Sequence, residues 1–399
     1  MSNGAQPPLV VHVIHRLAVG GLENGLVNLL NRMPLERYRH AIVCLADATD
    51  FAARIARTDV PIVELHKPPG TSLAIHARFH GIFRRMRPAI VHSRNLGALE
   101  SQLAAAAARV PVRIHGEHGW DVHDPDGTSW RHAAIRRVYS PLVTRYIALS
   151  GHIADYLAAR VGIAPGRIER ICNGVDCERF APDPSSRSRF PHEPFRDPAL
   201  VLVGAVGRLE PIKDQVNLAR AFGEAVARDP AMRRVLRLAI VGSGSLRTEI
   251  EAVLDAHGVR DLAWLAGERA DVPALLPAFD VYALPSRAEG ISNTLLEAMA
   301  CGVPAVATAV GGNPELVAAG ETGELVAPND PGALAGAIVR LARDRDLRMR
   351  MSAASRRRAV DCFSLAQMVS RYTQVYDREL ARGGSRAAHA QSRVRATTE

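Results

Sequence analysis

Two glutamates, Glu289 and Glu297, bracket the stretch PSRAEGISNTLLEAMACG and lie eight residues apart. On one continuous helix that spacing would set the Cα atoms roughly 12 Å apart and turned by about 80°. Carboxyl pairs that hydrolyse glycosides stand about 5 Å or about 6.5–9.5 Å apart, so a paired acid/base dyad does not fit. Two separate carboxylates fit better, each accepting hydrogen bonds from a vicinal diol at one end of an elongated ligand. Between them, Gly290, Ile291, Ser292 and Asn293 place backbone N–H groups at or near a helix N-terminus. Such an end carries about half a positive charge and receives anions.

Arg208 and Lys213 add two cations just past an expected strand end. A guanidinium fork and an ammonium point charge together suit a diphosphate. Lysine is otherwise found only at Lys67, which marks the Lys213 amine as wanted. His118 closes the polar run RIHGEH at another strand end and is a candidate substrate contact. Gly20-Gly21, between a strand and a helix, has phosphate-cradling form. The D-x-D pairs Asp124/Asp126 and Asp344/Asp346 are of a spacing that arises by chance, and no metal site is assigned.

These residues need a scaffold, and the apolar pattern supplies one. Short runs predict strands over 9–14, 41–45, 89–92, 113–118 and 146–150, with a helix over 22–32. The alternation restarts with strands over 200–206, 237–241, 262–266, 281–284, 305–309 and 324–326, and a helix over 215–228. Repeated β–α alternation is the doubly wound α/β signature. The expected architecture is two Rossmann-like domains, residues 1–182 and 199–362, facing a central cleft. Residues 183–198, rich in Pro, Ser, Arg and Asp, read as a linker. A last helix over 365–382 has apolar residues at helical spacing, so one face must be covered. Residues 383–399 lack periodicity and read as a disordered tail.

Composition narrows the class. The chain has 399 residues, 47% hydrophobic and 5% aromatic, which suits two α/β domains better than one. No apolar run approaches the ~18 residues of a membrane span, and MSNGAQPP lacks the features of an export signal. Five cysteines without a C-x-x-C pair fit a reducing cytoplasm and argue against structural zinc. A net charge of +9 favours anionic partners. Without an aromatic-interleaved basic stripe, nucleic acid is excluded as a partner.

Read in order, Gly207-Arg-Leu, Lys213, Val241-Gly-Ser-Gly, Ala283-Leu-Pro-Ser286, Glu289-Gly, Glu297-Ala-Met-Ala-Cys-Gly-Val-Pro304 and Val310-Gly-Gly-Asn-Pro-Glu315 form one pattern. It resembles the retaining family four glycosyltransferases of GT-B fold, with their E-x(7)-E motif, over about residues 9–380. Gly20-Gly-Leu-Glu, His115-Gly-Glu-His-Gly-Trp-Asp and Ile291-Ser-Asn-Thr resemble, more narrowly, sugar transferases of PEP-CTERM/exosortase exopolysaccharide loci.

The resemblance implies a hexosyltransferase that moves a sugar from a nucleotide-diphosphate donor to a hydroxyl of a polysaccharide or lipid-linked precursor. It implies an N-terminal acceptor domain, a C-terminal donor domain and a final helix that crosses back to the first. Arg208 and Lys213 would bind the diphosphate, Glu289 the donor-sugar hydroxyls and Glu297 the ribose. His118 would contact the reacting region of the donor. Gly20, Gly21, Gly244, Gly290, Ile291, Ser292, Asn293 and Thr294 would complete the substrate contacts. It further implies a UDP-sugar ahead of a GDP-sugar, no cofactor or metal, and a cytoplasmic enzyme peripheral to an anionic membrane surface at the inner face. Gly290-Ile-Ser-Asn stands where the family often has Gly-Phe-Gly, so the donor sugar stays unnamed. The rival readings are a nucleotide-sugar epimerase of similar fold and an inactive sugar-nucleotide-binding subunit. The Gly207–Lys213 and E-x(7)-E pairing disfavours the first, and the presence of all four charged site residues the second.

Overall fold

The structure is a computed structural model that describes residues 6–68, 70, 73–119, 124 and 127–396. Asp126 lies outside the described residues, as do 120–123 and 125. The chain forms two compact units, Met1–Asn173 with Leu365–Glu399, and Gly174–Ser364.

Unit 1 is built on seven parallel strands: β1 (Leu9–Ile14), β2 (Arg39–Cys44), β3 (Ile62–Glu64), β4 (Ile90–Arg94), β5 (Val112–Glu117), β6 (Arg145–Ala148) and β7 (Ile168–Arg170). Their order is β3-β2-β1-β4-β5-β6-β7. The edge strands β3 and β7 were not expected; each has three half-exposed or exposed residues and no apolar run to announce it. Helices α1 (Gly21–Arg32), α2 (Leu73–Met86), α3 (Ser101–Ala107) and α4 (Trp130–Tyr139) belong to this unit. The central strands are buried on both faces, which is why they read as continuous apolar runs rather than alternating ones.

Unit 2 has six parallel strands: β8 (Val201–Val206), β9 (Leu236–Val241), β10 (Ala263–Gly267), β11 (Val281–Leu284), β12 (Ala305–Thr308) and β13 (Gly323–Val326). The order β10-β9-β8-β11-β12-β13 reverses direction between β8 and β11, where Val281 pairs with Val203. Loops leaving two such strands diverge, and the crevice beyond their carboxyl ends is where open α/β sheets bind ligands. Helices α5 (Gln215–Arg228) and α6 (Asn293–Ala300) follow β8 and β11.

The expected linker over 183–198 is instead packed into unit 2. Phe190 and Phe195 are buried and stacked, and the Phe190 ring meets Trp264 at 5.3 Å between centroids. Two phenylalanines inside a polar stretch were the signal that it has a core to reach. Unit 1 also ends earlier than residue 182, because Arg356 of unit 2 donates to the carbonyls of Cys177 and Phe180, both at 3.0 Å.

The chain returns to unit 1 at helix α7 (Leu365–Ala396). Leu365, Met368, Val369, Tyr372, Val375 and Tyr376 join a core cluster with Val10, Ile90, Val112 and Ile114. Burying each such side chain contributes about 1.5–3 kcal/mol. The helix does not stop at Arg382 as expected but continues to Ala396. Propagation from a docked nucleus is far easier than initiation, so Gly383-Gly384 slows the helix without ending it. The Arg145 side chain pairs with Glu379 at 2.7 Å, with both side chains under 8% exposed. Removing the acid leaves a buried guanidinium without its counter-charge. Glu379→Ala is therefore expected to destabilise unit 1 by about 3–5 kcal/mol, read as a lower urea midpoint for exchange of its strand amides.

Candidate active site

The residues singled out in unit 2 gather on the loops leaving β8 and β11, at the point where strand order reverses. Lys213 Nζ donates to Glu289 Oε1 at 2.5 Å. Ser286, fully buried and one proline past β11, donates to the same oxygen at 2.6 Å. Thr308 at the end of β12 donates to the Ser286 carbonyl at 2.6 Å, so a neighbouring strand fixes the residue that fixes Glu289. Glu289 lies in the loop and Glu297 on α6, so the two carboxylates do not share a helix. Ser292 caps α6, its Oγ accepting from the Leu295 amide at 3.3 Å. Asn293 and Thr294 open the first turn, and the Tyr282 hydroxyl of β11 hydrogen-bonds Thr294 Oγ1 at 2.7 Å.

Arg208 is exposed, with no acid facing its guanidinium among the described residues, while Gln215 of α5 donates to its carbonyl at 2.9 Å. Asp214 takes a left-handed conformation at φ 50° and accepts from Arg287 at 2.9 Å. That contact ties the loop bearing Lys213 to the loop bearing Glu289. Ser286, Thr308, Asp214, Arg287 and Gln215 were not anticipated. Only Ser286 carried a signal, as the first polar residue after an apolar strand and a proline.

Two glycines allow these loops to meet. A Cβ on Gly244 would stand 2.4 Å from the Leu209 carbonyl oxygen, so Gly244 is required for backbone approach to the Arg208 loop. A Cβ on Gly311, at φ 51°, would stand 1.7 Å from the Glu289 carbonyl oxygen. Gly312 then donates to the Gly290 carbonyl at 3.0 Å. Gly290 and the buried Ile291 are thus held from behind.

His118, Gly20 and Gly21 belong to unit 1. Asn95, left-handed at φ 55°, accepts from the His118 amide at 2.7 Å. Both His118 ring nitrogens are buried without a partner among the described residues. Burial, and next the Arg94 guanidinium, pull the His118 pKa down to about 3. The ring is neutral and has hydrogen-bonding capacity unspent. Gly20 caps α1 and Gly21 begins it, but the acid that leans over Gly20 is the chain's own Glu23. Burial raises the Glu23 pKa.

The same pKa depression extends through unit 1. Burial and Arg94 push His12 and His92 well below the ordinary range, and burial with Arg57 brings His40 to about 3. Each folded pKa lies under the unfolded value near 6.5, so the unfolded chain takes protons first as pH falls. Stability is full above that value and is lost on the way down towards pH 3. Unit 1 is expected to lose about 1 kcal/mol per histidine between pH 7.5 and 5.5, which hydrogen exchange resolved by unit will read. Unit 2, with His192 and His257 alone, should change less. At the loops, Gly311→Ala is expected to destabilise unit 2 by about 1–3 kcal/mol and to raise exchange at Glu289–Ser292.

Residues 201–344 match the family model "Glycosyl transferases group 1", and residues 19–179 match "Glycosyltransferase Family 4". A D-inositol 3-phosphate glycosyltransferase of Salinispora arenicola is 34% identical over 255 residues, covering 61% of this chain and 57% of the relative. The chain spans about half the length of that relative and the two similar ones, between 47% and 57%. A GDP-mannose-dependent alpha-(1-6)-phosphatidylinositol monomannoside mannosyltransferase of Mycolicibacterium smegmatis is 33% identical, covering 64% of this chain and 67% of the relative. Among solved structures, Anabaena HepE in complex with UDP superposes with a TM-score of 0.80 at 21% identity, over 93% of this chain and 99% of that one. A glycosyltransferase from Rickettsia africae gives 0.81 at 19% identity, over 94% and 99%. The two parallel Rossmann-like sheets are the GT-B fold, and the chain belongs to the family 4, group 1 glycosyltransferases.

Proposed function

We propose that the chain transfers a sugar from a nucleotide-diphosphate donor to a hydroxyl of a polysaccharide or lipid-linked precursor, retaining anomeric configuration, in exopolysaccharide biosynthesis. The observation that carries this reading is the Lys213–Glu289 contact of 2.5 Å beside the exposed Arg208, over the strand-order reversal of unit 2. Glu289 Oε1 is engaged by Lys213 and Ser286, which leaves Oε2 for a donor-sugar hydroxyl. Glu297 takes the ribose hydroxyls, and the amides of Gly290–Thr294 take phosphate or sugar oxygens. The bond from the anomeric carbon to the diphosphate breaks, and a bond to the acceptor oxygen forms on the same face. The acceptor proton passes to the leaving diphosphate. Arg208 and Lys213 stabilise the charge gathering there, the kind of contribution that is usually the largest single one in catalysis. His118 supplies neutral hydrogen-bonding capacity to the substrate, and the amides of Gly20 and Gly21 serve phosphate.

A UDP-sugar is the donor we infer, in keeping with the UDP complex of HepE and with a galactosyltransferase of Escherichia coli, 29% identical, whose name specifies UDP-Gal. Relatives named for phosphatidylinositol and diphosphoundecaprenol acceptors support a lipid-linked one. No helix among the described residues is long and apolar enough to cross a membrane. Attachment to an anionic membrane surface at its cytoplasmic side is supported by the charge of +9 and by α4. That helix, WRHAAIRRVY, contains no acid and exposes Trp130 and Val138 by more than 70% beside Arg131.

The test is a thermal-shift series with UDP, GDP, ADP and their sugar conjugates, followed by transfer assays. A selective rise with UDP or a UDP-sugar is expected, weakened in Arg208→Ala. Glu289→Gln and Arg208→Ala should each lower transfer about 10²–10³-fold. No shift with any nucleotide, or wild-type transfer by Arg208→Ala, would sink the assignment.

A further inference from the structure

At the amino-terminal edge of the unit 1 sheet, the end away from His118, four arginines line one cavity of about 530 Å³. Arg39 begins β2, Arg84 lies in the last turn of α2, Arg87 follows α2 and Arg109 follows α3. Prolines and Phe83 supply apolar walls, and no carboxylate lines the cavity. Arg39 donates through Nε to the Pro7 carbonyl at 3.0 Å. The guanidinium groups of Arg84, Arg87 and Arg109 meet no acid among the described residues, unlike Arg16, Arg57 and Arg269, which pair with Asp47, Asp59 and Asp271.

The backbone sharpens the point. Six described residues other than glycine have positive φ: His66, Arg87, Asn95, Arg109, Asp214 and Asn329. Asn, Asp and His are the types that tolerate this region. The two arginines, at φ 49° and 59°, are the exceptions, and both line this cavity. Each stands where a helix ends, the Arg87 amide donating to the Phe83 carbonyl and the Arg109 amide to the Ala106 carbonyl, both at 2.9 Å. Glycine is the residue these positions favour. The last turn of α2 already holds Arg84 and Arg85, so Arg87 is not needed to offset that helix's dipole. Guanidinium groups held at left-handed positions around an acid-free cavity call for an anion from outside.

We propose that this cavity binds a compact phosphate-bearing polyanion, separate from the donor site. Guanidinium forks engage phosphate oxygens bidentately, and four of them around one cavity suit at least two negative charges. The phosphate can belong to a soluble solute or to the headgroup of an anionic lipid, and the experiment separates the two.

Wild-type protein is compared with Arg87→Gly/Arg109→Gly, in which glycine relieves both left-handed positions, so the melting temperature should hold or rise. Each is titrated calorimetrically with inorganic pyrophosphate and tested for capture by phosphatidylglycerol vesicles, with phosphatidylcholine vesicles as reference. The donor site is common to both proteins and cancels in the difference. A pyrophosphate stoichiometry lower by one in the variant establishes a soluble ligand. Unchanged pyrophosphate binding with at least about a tenfold weaker capture by phosphatidylglycerol alone establishes the lipid headgroup. If neither probe distinguishes the two proteins, the proposal is wrong. A lower melting temperature in the glycine variant would overturn the backbone argument for it.

Discussion

A carboxylate that is almost buried is untenable unless opposite charge and hydrogen bonds meet it, since desolvation alone costs several kcal/mol. Glu289 is in that position, with its side chain 7% exposed. Lys213 and Ser286 meet it at 2.5 and 2.6 Å, and much of the surrounding structure serves those two distances. Thr308 holds Ser286 from β12, Asp214 and Arg287 join the two loops, and Gly311 lets the backbone of Glu289 lie against its neighbour. One ion pair thereby enlists the ends of three strands. A loop built this way is stiff before any substrate arrives, which is what positioning catalysis needs.

Unit 1 solves a related problem differently. Arg94 is 2% exposed and lies 2.9 Å from His12 Nδ1. Around it His12 and His92 stay neutral, and His12 accepts from the guanidinium, so neutral imidazoles meet much of this buried cation. Tyr376 from α7 joins this network through His92 Nδ1 at 2.8 Å. Glu117 does have a counter-ion, held by Arg136 Nε at 2.6 Å, and its pKa falls although burial alone would raise it. That pair anchors the strand end from which His118 emerges.

The sequence was informative where patterns are local and less so where they are not. Apolar runs revealed the buried strands, and Glu289, Lys213 and Arg208 stood out because charged residues followed strand ends. Thr308 and Asp214 could not be found the same way, because their partners Ser286 and Arg287 lie more than twenty residues away and no periodicity links them. The stretch 183–198 was misread because its composition is that of a linker, while its place in unit 2 is set by the buried Phe190 and Phe195 and by the pairing of Arg187 with Asp280. The end of α7 was misread because residues 383–399 carry no apolar periodicity, while a helix already docked over Leu365–Tyr376 can propagate without one. The left-handed arginines at 87 and 109 have no sequence signature at all, since φ is invisible until the chain folds.

Unit 2 is inserted, in sequence terms, between two pieces of unit 1. During synthesis, residues 174–364 emerge complete and can fold while unit 1 still lacks Leu365–Tyr376, a wall of its own core. The first half of the newborn chain must therefore wait with Val10, Ile90 and Val112 uncovered until Leu365–Tyr376 have left the ribosome. A truncated translation product would carry a finished unit 2 on an unfinished unit 1, and exposed apolar strand faces of that kind are what chaperones and proteases recognise. The unit that begins first is thus completed last, because the piece that closes its core follows unit 2 in the chain.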